Sequence, residues 1–165
     1  MSARTLFVGM LACASLIGCT AKQQPSTGGS ARATLDAYVA AWNRHDSAAF
    51  DTLLTADAVH EDVSSGLTFK GPPAVKGFMR QLISMEPDYD WHITKVTESG
   101  PNVAAEWTWT STFTGPSPIG PVTNKRISGR GASIVEVENG KIKHFTDYYD
   151  EASFFRKPAT DSTKK

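Results

Sequence analysis

SIVEVENGKIKHFTDYYD, residues Ser133 to Asp150, is two apolar-alternating segments joined at Asn139-Gly140. Asn-Gly supplies the positive φ angles of a tight type I′ turn, so the stretch reads as a β-hairpin, with Val135 and Val137 on one arm and Phe145 and Tyr149 on the other. Alternation along the second arm sends Phe145, Asp147 and Tyr149 to one face and Ile142, His144, Thr146 and Tyr148 to the opposite one. Asp147 is thereby flanked by two aromatics. A carboxylate in that setting loses hydration, which disfavours its charged form unless a partner compensates, and general acids and bases are made this way. A structural aspartate hydrogen-bonded to a neighbouring element would have the same sequence signature.

Upstream of the hairpin the hydrophobic period is two, and before that it is close to 3.6. Val103 to Phe113 alternates, with Val103, Ala105, Trp107, Trp109 and Phe113 on one face and Glu106, Thr108, Thr110 and Thr112 on the other, as in a half-buried antiparallel strand. Tyr89, Trp91 and Ile93 begin another strand, and Gly115 to Pro121 is a proline-rich rim loop that cannot continue a ladder. Further back, Leu35, Tyr38, Val39 and Trp42 form a helical stripe capped by Ser30. A short second helix follows Asp46 and Ser47. Short strands are expected over Ala58–Val63 and Gly66–Lys70, and Gly71-Pro72-Pro73 opens a third helix through Val75, Phe78, Met79, Leu82 and Ile83. Three helices with long alternating strands imply an α+β domain, the helices packed on one face of a curved antiparallel sheet of about six strands.

The chain has 165 residues, 40% hydrophobic and 21% charged, with 17 basic and 17 acidic residues. One domain with a substantial core is expected, and the absence of a basic cluster argues against nucleic acid. The uncharged apolar run Leu6–Gly18 after Arg4 has the length of a signal-peptide core and is too short to span a bilayer. Residues 1–18 are read as a leader, 19–30 as a polar tether, 31–157 as the folded domain and 158–165 as a tail. Leu16-Ile17-Gly18-Cys19 resembles the lipobox of bacterial lipoproteins, which implies acylation of Cys19 and a lipid anchor to the cell envelope. Thr20 in place of an aspartate implies sorting to the outer membrane in a two-membraned cell. With Cys13 in the leader, Cys19 is the one cysteine left and no intrachain disulfide can form.

From roughly Ala31 to Lys157 the chain resembles the nuclear transport factor 2-like superfamily. Tyr38-Val39-Ala40-Ala41-Trp42-Asn43, Asp46, and Ala58-Val59-His60-Glu61-Asp62 look like the front half of ketosteroid isomerases. Gly140-Lys141-Ile142 and Asp147-Tyr148-Tyr149-Asp150 look like SnoaL-type polyketide cyclases and limonene epoxide hydrolase. The ketosteroid isomerase resemblance implies that Asp62 is a proton-shuttling base and Tyr38 an oxyanion donor, with Ser133 at or near the position of a second, aspartate donor. The SnoaL resemblance implies that Asp147 is acid and base. The arginine and second aspartate that epoxide hydrolysis uses on the neighbouring strand have no counterpart in Ala105-Glu106-Trp107-Thr108-Trp109.

The candidate catalytic residues are therefore Asp147, Asp62, Tyr38 and His60. His60 and Asp62 share a strand face, either as a relay or as two metal ligands, but no third histidine stands at ligand spacing, and no metal or other cofactor is expected. His45, His92 and His144 read as solvated. Gly129, Gly131 and Ser133 leave room beneath Tyr89, Trp91, Trp107 and Trp109, so Trp107, Trp109, Phe145, Tyr149 and Ser133 are the candidate ligand-binding residues for a flat, apolar small molecule. Acid–base isomerisation, cyclisation or hydration is one reading, and a non-catalytic binding module at the envelope is the other. The threonine-rich outer sheet face is only moderately apolar, so a weak homodimer at most is expected.

Overall fold

The computed structural model describes residues 30–117 and 119–155. The expected leader, Cys19, all of the tether before Ser30 and the tail lie outside the described residues. Helix α1, Ala31–Asn43, starts where the Ser30 hydroxyl accepts a hydrogen bond from the Ala33 amide, 3.1 Å away, satisfying one of the orphan donors of a helix start. Asp46 caps the 3₁₀ turn Ser47–Ala49 in the same manner, and that turn continues into α2, Phe50–Leu53. Helix α3, Gly71–Met85, carries Pro72 and Pro73 in its first turn and ends at Glu86, immediately before Pro87.

The strands are β1 (Leu54–Asp62), β2 (Leu67–Lys70), β3 (Asp90–Ser99), β4 (Asn102–Gly115), β5 (Val122–Glu138) and β6 (Lys141–Tyr149), followed by a short helix α4 (Glu151–Phe155). They form one six-stranded sheet in the order β2-β1-β6-β5-β4-β3. The sheet departs from the expected antiparallel arrangement at one seam, because β1 and β6 run parallel. Parallel neighbours need a long crossover, which α3 and four intervening strands supply, and the alternation within a strand carries no information about its neighbour's direction. Strand β1 also begins earlier than expected, because Leu54 already pairs with Ile142 ahead of a register shift before Val59.

Helix α1 packs against β3, β4, β5 and β6, while α3 packs against β1, β2 and β4. Because β2 and β3 are opposite edges, a sheet touched in this way must curve around the helices, as twisted sheets do. The core lies in the concavity. Tyr38 is its centre, stacked on Phe50 and tilted against Phe145 with centroids 5.0 and 5.1 Å away.

The Asn139-Gly140 turn has φ of +52° and +76°, both in the left-handed region that a type I′ turn requires. Across the hairpin Val135 pairs with Phe145 and Ser133 with Asp147. One expectation fails here. Ile142 pairs with Val137 while His144 pairs with Glu136, so Lys143 is an extra residue, a β-bulge that resets the alternation and sends Ile142 into the core with Phe145.

Candidate functional site

A cavity of about 580 Å³ opens between α3 and the concave face of the sheet. One end is polar, formed by His60 and Asp62 of β1 and Asp147 and Tyr149 of β6. The parallel seam brings them together: it pairs His60 with Phe145 and Asp62 with Asp147, setting two carboxylates side by side on adjacent strands.

Each carboxylate has its own partners. The Ser133 hydroxyl donates to Asp147 Oδ1 over 2.5 Å and accepts from the Trp107 indole N–H over 2.7 Å. Asp147 Oδ2 lies 3.3 Å from His60 Nε2, a close polar contact that does not meet hydrogen-bond geometry. On its other side His60 Nδ1 is 3.1 Å from the Tyr38 hydroxyl. Burial pushes the Tyr38 phenol far up from its ordinary value, so it keeps its proton and donates. The tautomer consistent with both contacts carries its hydrogen on Nε2, toward Asp147. Asp62 Oδ2 accepts from the Tyr149 hydroxyl over 2.6 Å, and Oδ1 accepts from the Ser65 amide over 3.0 Å. Tyr149 is also held protonated, by burial first and then by its bond to Asp62.

The candidate residues divide into two groups. Asp147, Asp62, His60, Trp107, Trp109 and Tyr149 line the cavity. Tyr38, Ser133 and Phe145 are at most 1% exposed and lie behind that lining. Tyr38 therefore acts on His60, and its hydroxyl partner is that histidine rather than Asp62 or Asp147. Ser133 holds Asp147 from beneath. The space over the glycines is also used differently from expectation. A Cβ on Gly131 would sit 2.5 Å from the Trp107 ring, and one on Gly129 would sit 2.7 Å from Trp109 Nε1 and 2.4 Å from Phe154. The indoles fill that room themselves, and the cavity lies on their far side. His144, expected to be solvated, is half-exposed beside Glu61 at 3.9 Å.

Glu86 was not among the expected site residues. It is 8% exposed and lines the cavity, and its Oε2 accepts a 2.7 Å hydrogen bond from the Ser111 hydroxyl. Burial, reinforced by nearby Asp88 and opposed by the Ser111 bond, pushes its carboxyl up to about 7. Two signals were present in the sequence. Glu86 precedes Pro87, which ends α3, and Ser111 is the one hydroxyl on the aromatic face of β4. Among the described residues, no group of three or more His, Cys, Asp or Glu side chains is placed to hold a metal ion.

Residues 35–145 match the SnoaL-like domain. No curated protein matches the chain. Among solved structures, a hypothetical protein with a ketosteroid isomerase-like fold from Catenulispora acidiphila, in complex with trimethylamine, is 24% identical over 73% of this chain and 88% of its own, with a TM-score of 0.65. A SnoaL-like polyketide cyclase of Agrobacterium tumefaciens is 16% identical over 76% of this chain and 94% of its own, with a TM-score of 0.66. An epoxide hydrolase of M. tuberculosis, similar to limonene epoxide hydrolase, is 21% identical over 76% of this chain and 86% of its own, with a TM-score of 0.62. At these identities the structures speak for the fold. With the domain match spanning most of the chain and the helices set in a curved six-stranded sheet, the protein belongs to the SnoaL-like family of the nuclear transport factor 2-like superfamily.

Proposed function

We propose that the protein is an acid–base enzyme acting on a small, largely apolar cyclic compound, moving a proton beside a carbonyl during isomerisation, cyclisation or hydration. The observation that carries this reading is the placement of Asp147, whose carboxylate lines an aromatic cavity while Ser133 holds one oxygen and His60 faces the other. Asp147 is the base. In isomerisation the proton it takes from carbon returns to carbon at a second position, and in cyclisation it ends on the carbonyl oxygen that becomes a hydroxyl. In hydration the proton is taken from the attacking water and delivered to carbon. Its orientation is set by Ser133, itself anchored by the Trp107 indole, and by His60, which Tyr38 steadies from behind. Tyr149 gives its one hydroxyl proton to Asp62 at the cavity wall, so it orients that carboxylate and reaches a developing oxyanion only by exchanging that bond.

A non-catalytic binding module is the second reading. The observation favouring it is that Asp62, the base position implied by the isomerase resemblance, has both oxygens engaged, by Tyr149 and by the Ser65 amide. The proposal extends to the amino terminus and to assembly: acylation at Cys19, an outer-membrane location if the cell has two membranes, and at most a weak homodimer, all drawn from the sequence reading.

The test is hydrogen–deuterium exchange at carbon. Hydrophobic cyclic ketones and ketoesters are incubated with the protein in deuterated buffer and followed by NMR. Enzyme-dependent exchange is expected for at least one compound that binds, and Asp147→Asn should abolish it while retaining binding. Exchange undiminished in that variant would remove Asp147 from the chemistry, and binding without exchange for every compound would favour the second reading.

A further inference from the structure

We infer that the cavity takes a ligand with a cationic amine, protonated or fully alkylated, on its apolar body, and that Glu86 is the residue that meets the positive charge. The inference rests on the small-molecule reading above and narrows the ligand class. Among the described residues, the cavity lining includes the acidic Asp62, Glu86, Asp147 and Glu151, has no lysine or arginine, and has His60 as its one basic side chain. An anionic ligand would meet a wall of its own sign. A wholly apolar ligand would cover Glu86 without replacing the water its carboxyl loses.

Glu86 is 92% buried at the cavity wall, Ser111 bonds only one of its oxygens, and Oε1 has no hydrogen bond among the described residues. Next to it in sequence and space are aromatic faces. Tyr89 stacks on Trp109 with centroids 5.6 Å apart, and Trp109 precedes Ser111 on the same face of β4. A carboxylate beside indole and phenol faces is the chemistry that recognises alkylated ammonium groups, the ring quadrupoles and the negative oxygen acting on the same charge.

The titration of Glu86 gives this arrangement a signature. Its carboxyl is pushed up to about 7, chiefly by burial. The groups that face it are Asp88 and Tyr89 on its own loop and Ser111 on β4, with His60, Asp62, Asp147, Tyr149 and Glu151 around the same cavity. Arg126 on β5 is engaged by Asp88 at 2.6 Å. A bound cation favours the ionised carboxylate, so binding below neutrality must displace a proton and affinity must rise as pH climbs through about 7. A neutral ligand accepting a hydrogen bond from protonated Glu86 would show the reverse.

The experiment uses phenyltrimethylammonium and its uncharged carbon isostere tert-butylbenzene, titrated into the wild-type protein at pH 6 and pH 8 and read by tryptophan fluorescence. The cation should bind at least about tenfold more tightly than the isostere at pH 8, and it should weaken by roughly tenfold at pH 6. In Glu86→Gln, which keeps the shape and the Ser111 bond, the cation should lose both its advantage and its pH dependence while the isostere is unchanged. Equal or tighter binding of the isostere overturns the ligand class and leaves the cavity reading standing. Cation affinity that is flat with pH overturns the role of Glu86. Binding of neither compound overturns the inference, while carbon exchange dependent on Asp147 would still support the proposed chemistry.

Discussion

Replacing Glu86 by glutamine should stabilise the protein, and only above a definite pH. The carboxyl's ordinary value is 4.5, and in the fold it is pushed up to about 7. Between those values the unfolded chain has released the proton that the folded chain still holds, so wild-type stability falls as pH rises from 4.5 and levels off above 7. At about 1.4 kcal/mol per pH unit the full penalty is roughly 3 kcal/mol, an upper figure because the wall can relax and admit water. Glutamine cannot ionise, yet its amide oxygen can still accept from Ser111 and its amide nitrogen occupies the place of the acid hydroxyl. Wild type and Glu86→Gln should therefore match near pH 4.5, diverge through neutrality, and differ by about 2–3 kcal/mol in favour of the variant at pH 8. Urea melts at half-unit pH steps measure the difference, and other titrating groups cancel in it. Two curves that track each other across the range, or a glutamine variant that is less stable at pH 8, would refute the reasoning.

Gly131→Ala should cost about 1–3 kcal/mol by overpacking, because the new methyl meets both the Trp107 ring and the Tyr148 carbonyl at 2.5 Å; an unchanged urea midpoint and near-ultraviolet circular dichroism would count against the packing described. Tyr38→Phe should cost about 1–2 kcal/mol and alter the ¹⁵N signals of the His60 ring, and a ring spectrum identical to wild type would show that the hydroxyl does not set that tautomer. Labelling with a palmitate analogue in bacteria should tag the wild type and fail on Cys19→Ala, equal labelling of both being the contrary result.

Local pattern carried much of the fold. The Asn139-Gly140 turn, the Ser30 cap, the prolines at the start of α3 and the aromatic face of β4 are short-range features, and each is where alternation and helical period put it. The bulge at Lys143 was invisible for a complementary reason. An extra residue in one strand is defined by its partner strand, and no periodicity within β6 reports it.

The site shows the same division. Sequence alone determined which residue types were available: an aspartate between aromatics in the hairpin, a His-x-Asp strand, and a tyrosine on the first helical stripe. Tertiary structure decided their roles, because burial and partners arise only from long-range packing. The parallel seam set Asp62 beside Asp147, the depth of α1 put Tyr38 behind His60, and the indoles lying on Gly129 and Gly131 moved the cavity to their far side. Glu86 is the clearest case. Pro87 marks the end of α3 beside it and Ser111 is a lone hydroxyl on an aromatic face, but neither signal points to the other, and Glu86 becomes a buried, reluctantly ionised group only because the curve of the sheet brings Ser111 against it, 25 residues along the chain.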